Sequence, residues 1–421
     1  MGFARICNRS ERYNVSNMMK TVYVCAAALS FAAASPTAAQ SPHAQMAQVG
    51  QISPVTYSGV REGAGALPMF VPQARSSRTR LDYALYSDAL NYSVLPLGQS
   101  TRRYMGKPDV TVGSRLRSGH QTPYRLEGSR VSFSLLNDEY KDALHEYRMD
   151  LERIGNEIDI VRMGRNEQLA FWMNLHNVVM IDQIVQNYPV KRPGRIKVNG
   201  VNVDDAKLIN LKGTALSLRD IRERIVYPNW KNPNVIYGFF RGDIGSPALL
   251  DYAFTAQNIG EALAVSGNEF VNALRGFSEG SRTRNVSRVY AEAKRFYFQN
   301  FETDLEAHLL RHARDEVKEE IRAVKPMKID KYDEVVADLI GGSNPRIATF
   351  TVRNSQGDTQ SISRELYNTL REINEKRKTL RSRDLLISNS VIIEDIETPS
   401  REYDPNVDPA SSQYIPPSTG E

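Results

Sequence analysis

The stretch from Leu169 to Ile181 constrains the fold most, because its apolar residues point in every direction around a helix. A surface helix keeps one polar face, whereas a helix that is apolar all round is buried. Tyr188-Pro189 ends the pattern, since proline cannot continue the hydrogen-bond ladder and disfavours helix in the residue before it. The sequence therefore predicts a core built around a helix from Arg165 to Asn187.

Further helices are predicted on both sides of this one. Apolar residues recur at helical spacing over Leu81 to Leu95, Ser134 to Leu151, Ser287 to Gln299, Asp304 to Val324 and Arg364 to Leu386. Serines mark three more helix starts: a capping box at Ser217-Leu218-Arg219-Asp220 with a helix to Val226, an N-cap at Ser246 with Pro247 at the first position, and a second capping box at Ser266 to Glu269 with a helix to Phe277.

Short strands are predicted at three places. Alternating apolar residues around Asn199-Gly200 predict a hairpin between Arg195 and Val203. Val235 to Phe240 is β-branched and aromatic, which is typical of a strand. Ala348 to Arg353 and Thr359 to Ile362 predict a second hairpin. The fold class that follows is α+β, predominantly helical, with short strands and hairpins.

Residues 1–39 have the features of a secretory signal peptide. Basic residues precede an apolar run from Val22 to Ala34, and small residues follow at Thr37-Ala38-Ala39. We predict cleavage after Ala39 or Gln40 and an exported protein, periplasmic or extracellular. An uncleaved anchor helix is the alternative, and a translation start at Met1, Met18 or Met19 stays open.

Both cysteines, Cys7 and Cys25, lie inside this leader, so the mature chain is predicted to be cysteine-free. Disulfides, thiolate catalysis and cysteine-bound metals are then excluded. The mature chain has no apolar run of the ~20 residues that cross a bilayer. The net charge of +5 falls by three, to +2, when the leader with its four basic residues and one acid is removed. So small an excess of positive charge argues against nucleic acid as a partner.

The composition divides the rest of the chain into four parts. Residues 40–79, rich in Gln, Pro, Ser, Ala and Gly, predict a flexible arm. Residues 80–332 form the main domain, which includes a basic loop at 101–130 that is either a solvated loop or a contact for an anionic glycan or lipid head group. Residues 333–390 add a C-terminal hairpin and helix, and 391–421 are an acidic, disordered tail.

The central helix also carries a family resemblance. Gln168 to Asn177, ending at Asn187-Tyr188-Pro189, resembles the signature of the domain-of-unknown-function family 547. Leu216 to Ile221, and Val286 to Tyr290 followed by Phe301, resemble later segments of that family in the same order. The resemblance covers residues 131–332 and implies no known substrate.

The chain departs from this family at its second motif. The family resemblance implies a His-Phe-x-Leu-Asn-Cys-(x)4-Cys-Pro run, and the matching run here is Ile236 to Pro247. Ile236 stands at the histidine position, and Arg241 and Ser246 stand at the two cysteine positions. If relatives use those residues for nucleophilic or redox chemistry, this chain cannot do so in the same way.

Six residues are candidates for a ligand-binding site: Asn174, His176, Asn177, Arg241, Asp243 and Ser246. Asn174 and Asn177 share a face of the buried helix, where their amides either line a pocket or clamp a neighbouring backbone. His176 is either a hydrogen-bonded core histidine or a catalytic base. Arg241-Gly242-Asp243 is either an anion pocket or an Arg–Asp pair that closes a turn, and Ser246 is either a helix cap or a nucleophile.

No metal or cofactor is predicted. His308 and His312 have the i, i+4 spacing of zinc ligands but lack the intervening glutamate and a third ligand, so we expect them to face solvent. Nucleotide, dinucleotide and nucleophile-elbow motifs are missing from the sequence.

Three functional hypotheses follow. The first is an exported protein that acts as a non-catalytic or degenerate envelope module and binds an unknown ligand or protein between the Asn174 helix and the Arg241 turn. The second is an envelope hydrolase or transferase whose site contains Asn174, Asn177, Arg241, Asp243 and Ser246. The third is a scaffold that works through its arm and tail.

Overall fold

The computed structural model describes residues 65–75, 77–108, 119–330, 332–344, 350–353 and 359–383. The predicted signal peptide, residues 40–64 of the arm, residues 109–118 of the basic loop and the acidic tail lie outside this range. The described part is α+β and predominantly helical, which confirms the predicted fold class.

The longer helices are α1 (Ala84–Ser93), α2 (Asp138–Glu157), α3 (Arg165–Gln186), α5 (Ile259–Val271), α6 (Arg288–Tyr297), α7 (Phe301–His312), α8 (Asp315–Arg322) and α9 (Arg364–Ser382). Helix α4 is composite, with Leu218–Asp220 and Tyr227–Asn229 in α form around a π segment, Ile221–Val226. Shorter 3₁₀ helices include Pro68–Phe70, Ile160–Arg162 and Pro233–Gly238.

Helix α3 is the centre of the core, as its apolar sequence predicts. It packs against α2, α4 and α5, and Phe171, Trp172 and Leu175 are fully buried. The Trp172 ring meets the Phe70 and Phe171 rings edge-on, each at 5.2 Å between centroids. Such contacts add to the area that the rings bury.

The strands are short and pair mostly as neighbours in sequence. They are β1 (Val94–Pro96), β2 (Ser129–Val131), β3 (Lys197–Val198), β4 (Val201–Asn202), β5 (Ile209–Leu211), β6 (Thr214–Leu216), β7 (Phe277–Glu279), β8 (Arg284–Val286), β9 (Met327–Ile329), β10 (Phe350–Arg353) and β11 (Thr359–Ile362). Antiparallel pairs join β1 to β2, β3 to β4 and β5 to β6, and β10 pairs with β11. One sheet has the order β7-β8-β9, with β7 antiparallel and β9 parallel to β8.

Two local predictions are confirmed in detail. The β3–β4 hairpin turns at Asn199 and Gly200, whose φ angles of 50° and 82° are those that a tight two-residue turn requires. Ser217 and Asp220 form the predicted capping box, with each side chain accepting a hydrogen bond from the other's backbone N–H.

The predicted strand at Val235 to Phe240 is wrong, because residues Pro233–Gly238 form a 3₁₀ helix. Asn232 caps it by accepting a hydrogen bond from the Asn234 N–H at 3.0 Å, and Pro233 fits the first position of a helix. The β-branched and aromatic residues here reflect burial and not strand formation, since Val235, Ile236 and Tyr237 are all in the core.

The predicted helix starts at Ser246 and Ser266 are also wrong. Helix α5 begins only at Ile259, after Thr255 and Asn258 exchange backbone-to-side-chain hydrogen bonds of 2.8 and 3.1 Å. Ser266 therefore lies inside α5, and the helix expected from Glu269 to Phe277 ends at Val271. The helix predicted from Asp304 to Val324 is divided into α7 and α8.

The described end of the predicted arm is held against the domain. Phe70 is buried in the core, and backbone hydrogen bonds tie Leu67 to Arg224 and Gln73 to Val161. Residues 67–73 at this end of the predicted arm are thus attached to the domain through backbone groups and the Phe70 side chain. Among the described residues, no helix has the length and apolar character to span a membrane.

Candidate functional site

The amides of Asn174 and Asn177 clamp two loops to α3. Asn174 donates to the Phe254 carbonyl at 2.7 Å and accepts from the Phe254 N–H at 3.0 Å. Asn177 donates to the Gly238 carbonyl and accepts from the Phe240 N–H, both at 3.0 Å. Each amide is thus bonded to backbone on both sides, which is the clamp alternative of the sequence analysis.

The first of these clamps uses the backbone N–H and carbonyl of Phe254. An interior helical residue has those groups bonded within the helix. Phe254 therefore lies in the irregular segment before α5, which begins at Ile259.

His176 lies between Asn177 and Arg222 and has no exposed surface. Arg222 Nη1 is 3.0 Å from His176 Nε2, and because a guanidinium only donates, Nε2 is the acceptor. Nδ1 then carries the proton and donates to Asn177 Oδ1 at 3.1 Å. Burial and the Arg222 charge lower the pKa of His176 to about 3, so the imidazole is neutral and both its nitrogens are bonded.

Arg222 connects His176 to a largely buried charge network, which we call the four-charge network: Asp204, Arg222, Arg241 and Glu292. Arg222 forms two 2.7 Å bonds to Asp204 and one of 2.9 Å to Glu292. Arg241 is bidentate to Glu292, at 2.9 and 2.7 Å. Burial by itself would raise the pKa of Glu292, but the charges of Arg241 and Arg222 lower it to about 2.

The predicted Arg241–Asp243 pair is therefore wrong, because the Arg241 guanidinium is bonded to Glu292. Asp243 has other partners: its Oδ1 accepts from the Tyr332 hydroxyl at 2.6 Å and from the Ser246 N–H at 3.1 Å. Burial raises the pKa of Asp243 to about 7, against the lowering effects of the Tyr332 hydrogen bond and the Arg241 charge.

Ser246 lies in the turn that starts at Arg241 and is 1% exposed. Its hydroxyl donates to the Asp243 backbone carbonyl at 2.8 Å and accepts from the Arg241 N–H at 3.3 Å. The predicted helix-capping role is wrong, since the hydroxyl closes a turn instead. The structure does bring the two positions of the family's cysteines together, because Arg241 and Ser246 bond across this turn.

The space between α3 and this turn is filled. A Cβ atom on Gly242, whose φ is +84°, would lie 2.5 Å from Ile184 Cδ1 and 2.9 Å from Met180 Cε. A Cβ on Gly245 would meet the backbone of Asp333 at 2.8 Å. The turn is thus closely packed against α3 at Gly242 and against the backbone of Asp333 at Gly245.

The comparison with known families returned one match. The family described as "Protein of unknown function, DUF547" matches residues 160–271. This chain contains a DUF547 domain. No curated protein and no solved structure matches the chain.

The DUF547 match runs from the 3₁₀ turn before α3 to the end of α5. It includes Asn174, His176, Asn177, Arg241, Asp243 and Ser246, and it is shorter than the 131–332 span suggested by the resemblance. Glu292 and Tyr332 lie beyond it, yet they bond to Arg241 and Asp243. Sequence reasoning missed these two residues, along with Asp204 and Arg222, because a contact between residues this far apart in sequence leaves no local pattern.

His308 and His312 also lie outside the DUF547 match, and the expectation that they face solvent is wrong. Both are buried in α7. His308 is bonded to the Tyr237 hydroxyl at 2.8 Å, and His312 lies 2.9 Å from both Asn268 Oδ1 and Asn234 Oδ1. Among the described residues, no group of three or more His, Cys, Asp or Glu side chains could hold a metal ion.

Proposed function

We propose that this chain is an exported, non-catalytic module that binds a ligand or protein partner in the cell envelope. The observation that carries the proposal is the turn from Arg241 to Ser246, where the DUF547 resemblance implies cysteines. Here a guanidinium is bidentate to Glu292 and a hydroxyl is bonded to backbone. The Ser246 hydroxyl is bonded within the turn, and the Arg241 guanidinium is a cation that cannot act as a nucleophile.

The loss of the histidine that the family resemblance implies supports this proposal. A serine needs a neighbouring base because its hydroxyl is a poor nucleophile at neutral pH. Ile236 occupies the family's histidine position. His176 is neutral, but its acceptor nitrogen already receives a hydrogen bond from Arg222. The filled space around Gly242 further implies that a partner binds elsewhere on the domain.

The second candidate, an envelope hydrolase or transferase, is favoured by one observation at Asp243. A carboxyl group with a pKa of about 7 can both donate and accept a proton near neutral pH. It lies beside the Tyr332 hydroxyl, and it is 5% exposed. If the chain is an enzyme, Asp243 is the acid–base residue, with Ser246 and Arg241 positioned by the same turn.

The two candidate functions predict different effects of the substitution Asp243→Asn. We would screen the mature protein by thermal shift against envelope glycans, peptides and lipid fragments, and then test each hit for turnover. The binding proposal expects ligands whose affinity is the same for wild type and Asp243→Asn. Turnover that Asp243→Asn abolishes, in a variant with an unchanged circular dichroism spectrum, would establish the enzyme instead.

Export has its own test. Intact-mass analysis of the protein from its native host should give an N-terminus near Gln40 and no reaction with a thiol reagent, since Cys7 and Cys25 would have been removed. A membrane-bound species that still contains Cys25 would contradict export by cleavage.

A further inference from the structure

A second region, away from the Arg241 turn in sequence, has the features of an anion site. Arg75, Ser77, Arg78 and Arg80 surround an open cavity of about 470 Å³. That volume lies within the range of small-molecule sites, roughly 300–1,000 Å³. None of the three arginines forms an ion pair with a described residue. Three guanidinium groups thus share one concavity, and the Glu167 carboxylate is an opposing charge felt by Arg75 and Arg80.

The segment that carries these arginines is anchored rather than loose. The Gln73 and Ser77 N–H groups donate to the Val161 and Arg162 carbonyls at 2.8 and 3.0 Å. Ser77 donates to the Thr79 hydroxyl at 2.8 Å, and Arg75 Nε donates to the Ser77 carbonyl at 3.4 Å. The backbone that carries the arginines is therefore anchored at Gln73 and Ser77 before any ligand arrives, which lowers the entropic cost of binding.

The same cavity lies near the N-terminus of α3. The N-cap of α3 is Gly164, which offers no side-chain cap, and a Cβ on Gly164 would be 3.7 Å from Arg75 Cζ. The helix dipole at this end adds positive potential to that of the arginines. Glu167, in the first turn, opposes it, but its carboxylate is mostly buried and bonded to the Leu81 backbone.

We propose that Arg75, Arg78 and Arg80 form a binding site for a phosphoryl group, carried either by a free phosphate ester or by a lipid head group. Guanidinium groups match phosphate oxygens with paired N–H donors. Several guanidinium groups together should bind a doubly charged phosphoryl group more tightly than a singly charged carboxylate. The cavity leaves room for the organic part of such a ligand. This inference goes beyond the proposed function, because it does not depend on whether the Arg241 turn is catalytic.

The test is calorimetric titration of the full mature chain with inorganic phosphate and with glycerol 3-phosphate, using acetate as the singly charged comparison. We expect saturable phosphate binding that weakens about tenfold or more in Arg78→Gln/Arg80→Gln, the effect of losing charge-assisted hydrogen bonds. Arg78→Lys/Arg80→Lys keeps the charge but loses the paired donors, so it should restore only part of the affinity. Arg282→Gln, at an exposed arginine outside the segment, is the matched control and should bind as wild type does.

A second arm identifies the source of the phosphoryl group. Vesicles of phosphatidylglycerol in phosphatidylcholine, compared with phosphatidylcholine alone, should sediment the chain if the ligand is a lipid head group, and free phosphate should compete. Binding to free phosphate esters without vesicle binding would assign a soluble ligand. The site would be overturned if Arg282→Gln lost as much phosphate affinity as Arg78→Gln/Arg80→Gln, or if neither phosphate nor vesicles bound. Either result would leave the non-catalytic proposal unaffected.

Discussion

Asn177 joins α3 to the backbone at Gly238 and Phe240 through both atoms of its amide. Asn177→Ala removes both bonds and leaves a buried carbonyl and a buried N–H without partners. We expect a loss of about 1–3 kcal/mol in the free energy of unfolding, measured by urea denaturation. Asn91→Ala, at an exposed position of α1, is the matched control and should change stability little; equal effects of the two substitutions would contradict the clamp.

Asp243 makes stability depend on pH, and the sign follows from its raised pKa. The folded state holds the proton up to about pH 7, whereas the unfolded chain releases it near 3.8. Relative to Asp243→Asn, wild type should therefore lose stability as pH rises from 4 to 7, by up to about 4 kcal/mol, and change little above 7. Denaturation midpoints of both proteins across this window measure the difference. A constant difference would show that Asp243 ionises normally.

At the scale of elements, the four-charge network ties α4 to α6 and to the Arg241 turn. Glu292→Gln removes the negative charge that the guanidinium groups of Arg222 and Arg241 share. We therefore expect a loss of about 3–5 kcal/mol in the free energy of unfolding. Replacing both Arg241 and Glu292 by methionine leaves neither charge of this pair without its partner. The double substitution should therefore lower the free energy of unfolding by less than the sum of the two single methionine substitutions. Strict additivity in this double-mutant cycle would mean that the two side chains do not interact.

How far the sequence predicted these elements depended on whether the signal was local. The apolar residues of α3 and the Ser217–Asp220 capping box lie within a few residues of each other, and both were predicted correctly. Ser266 to Glu269 has the same local form as a capping box, but Thr255 and Asn258 start the helix earlier. A local pattern cannot decide between two such starts when either satisfies the backbone.

The candidate site shows the same limit. That Asn174 and Asn177 are buried and need partners followed from the apolar helix around them. Which partners they have, and that Glu292 rather than Asp243 pairs with Arg241, depends on residues brought together only by the fold. The expected exposure of His308 was wrong for this reason, because Tyr237 covers and bonds to it.

At the scale of the whole molecule, α9 connects the C-terminal part of the chain to the first strand and the loop before β2. Its Lys376 amine is buried and donates to the Gly98 and Leu126 carbonyls at 3.3 and 2.6 Å. Burial lowers the pKa of Lys376 from 10.5 to about 7, with Glu127 and Glu269 opposing the shift and Arg130 and Arg275 adding to it.

The protonated form of Lys376 is therefore disfavoured in the folded state. Wild type should gain stability relative to Lys376→Met as pH rises from 7 to about 10. Below pH 7 the difference in stability between the two proteins should stay constant. Thermal denaturation midpoints of the two proteins test this window. Lys378→Met, at an exposed lysine two residues away, is the control and should follow the wild-type profile.

Helix α9 also covers an apolar surface formed by Leu97 and Leu126. Ile373 packs in one cluster with Leu97 and Leu126, and a Cβ on Gly98 would be 3.4 Å from Leu380 Cδ1. The apolar residues of α9 that are buried include Leu366, Tyr367, Leu370, Ile373 and Leu380.

A chain that stops after residue 363 would expose this surface and lose the Arg125–Glu372 ion pair, whose two bonds are 2.7 Å. Burying one such apolar side chain stabilises a fold by roughly 1.5–3 kcal/mol, so losing several is comparable to the whole stability of a domain. We expect this chain to bind a hydrophobic dye and to lose cooperative unfolding, whereas a chain that stops after residue 390 should unfold as the full chain does. Equal unfolding midpoints for the two truncated chains would show that α9 is dispensable to the fold.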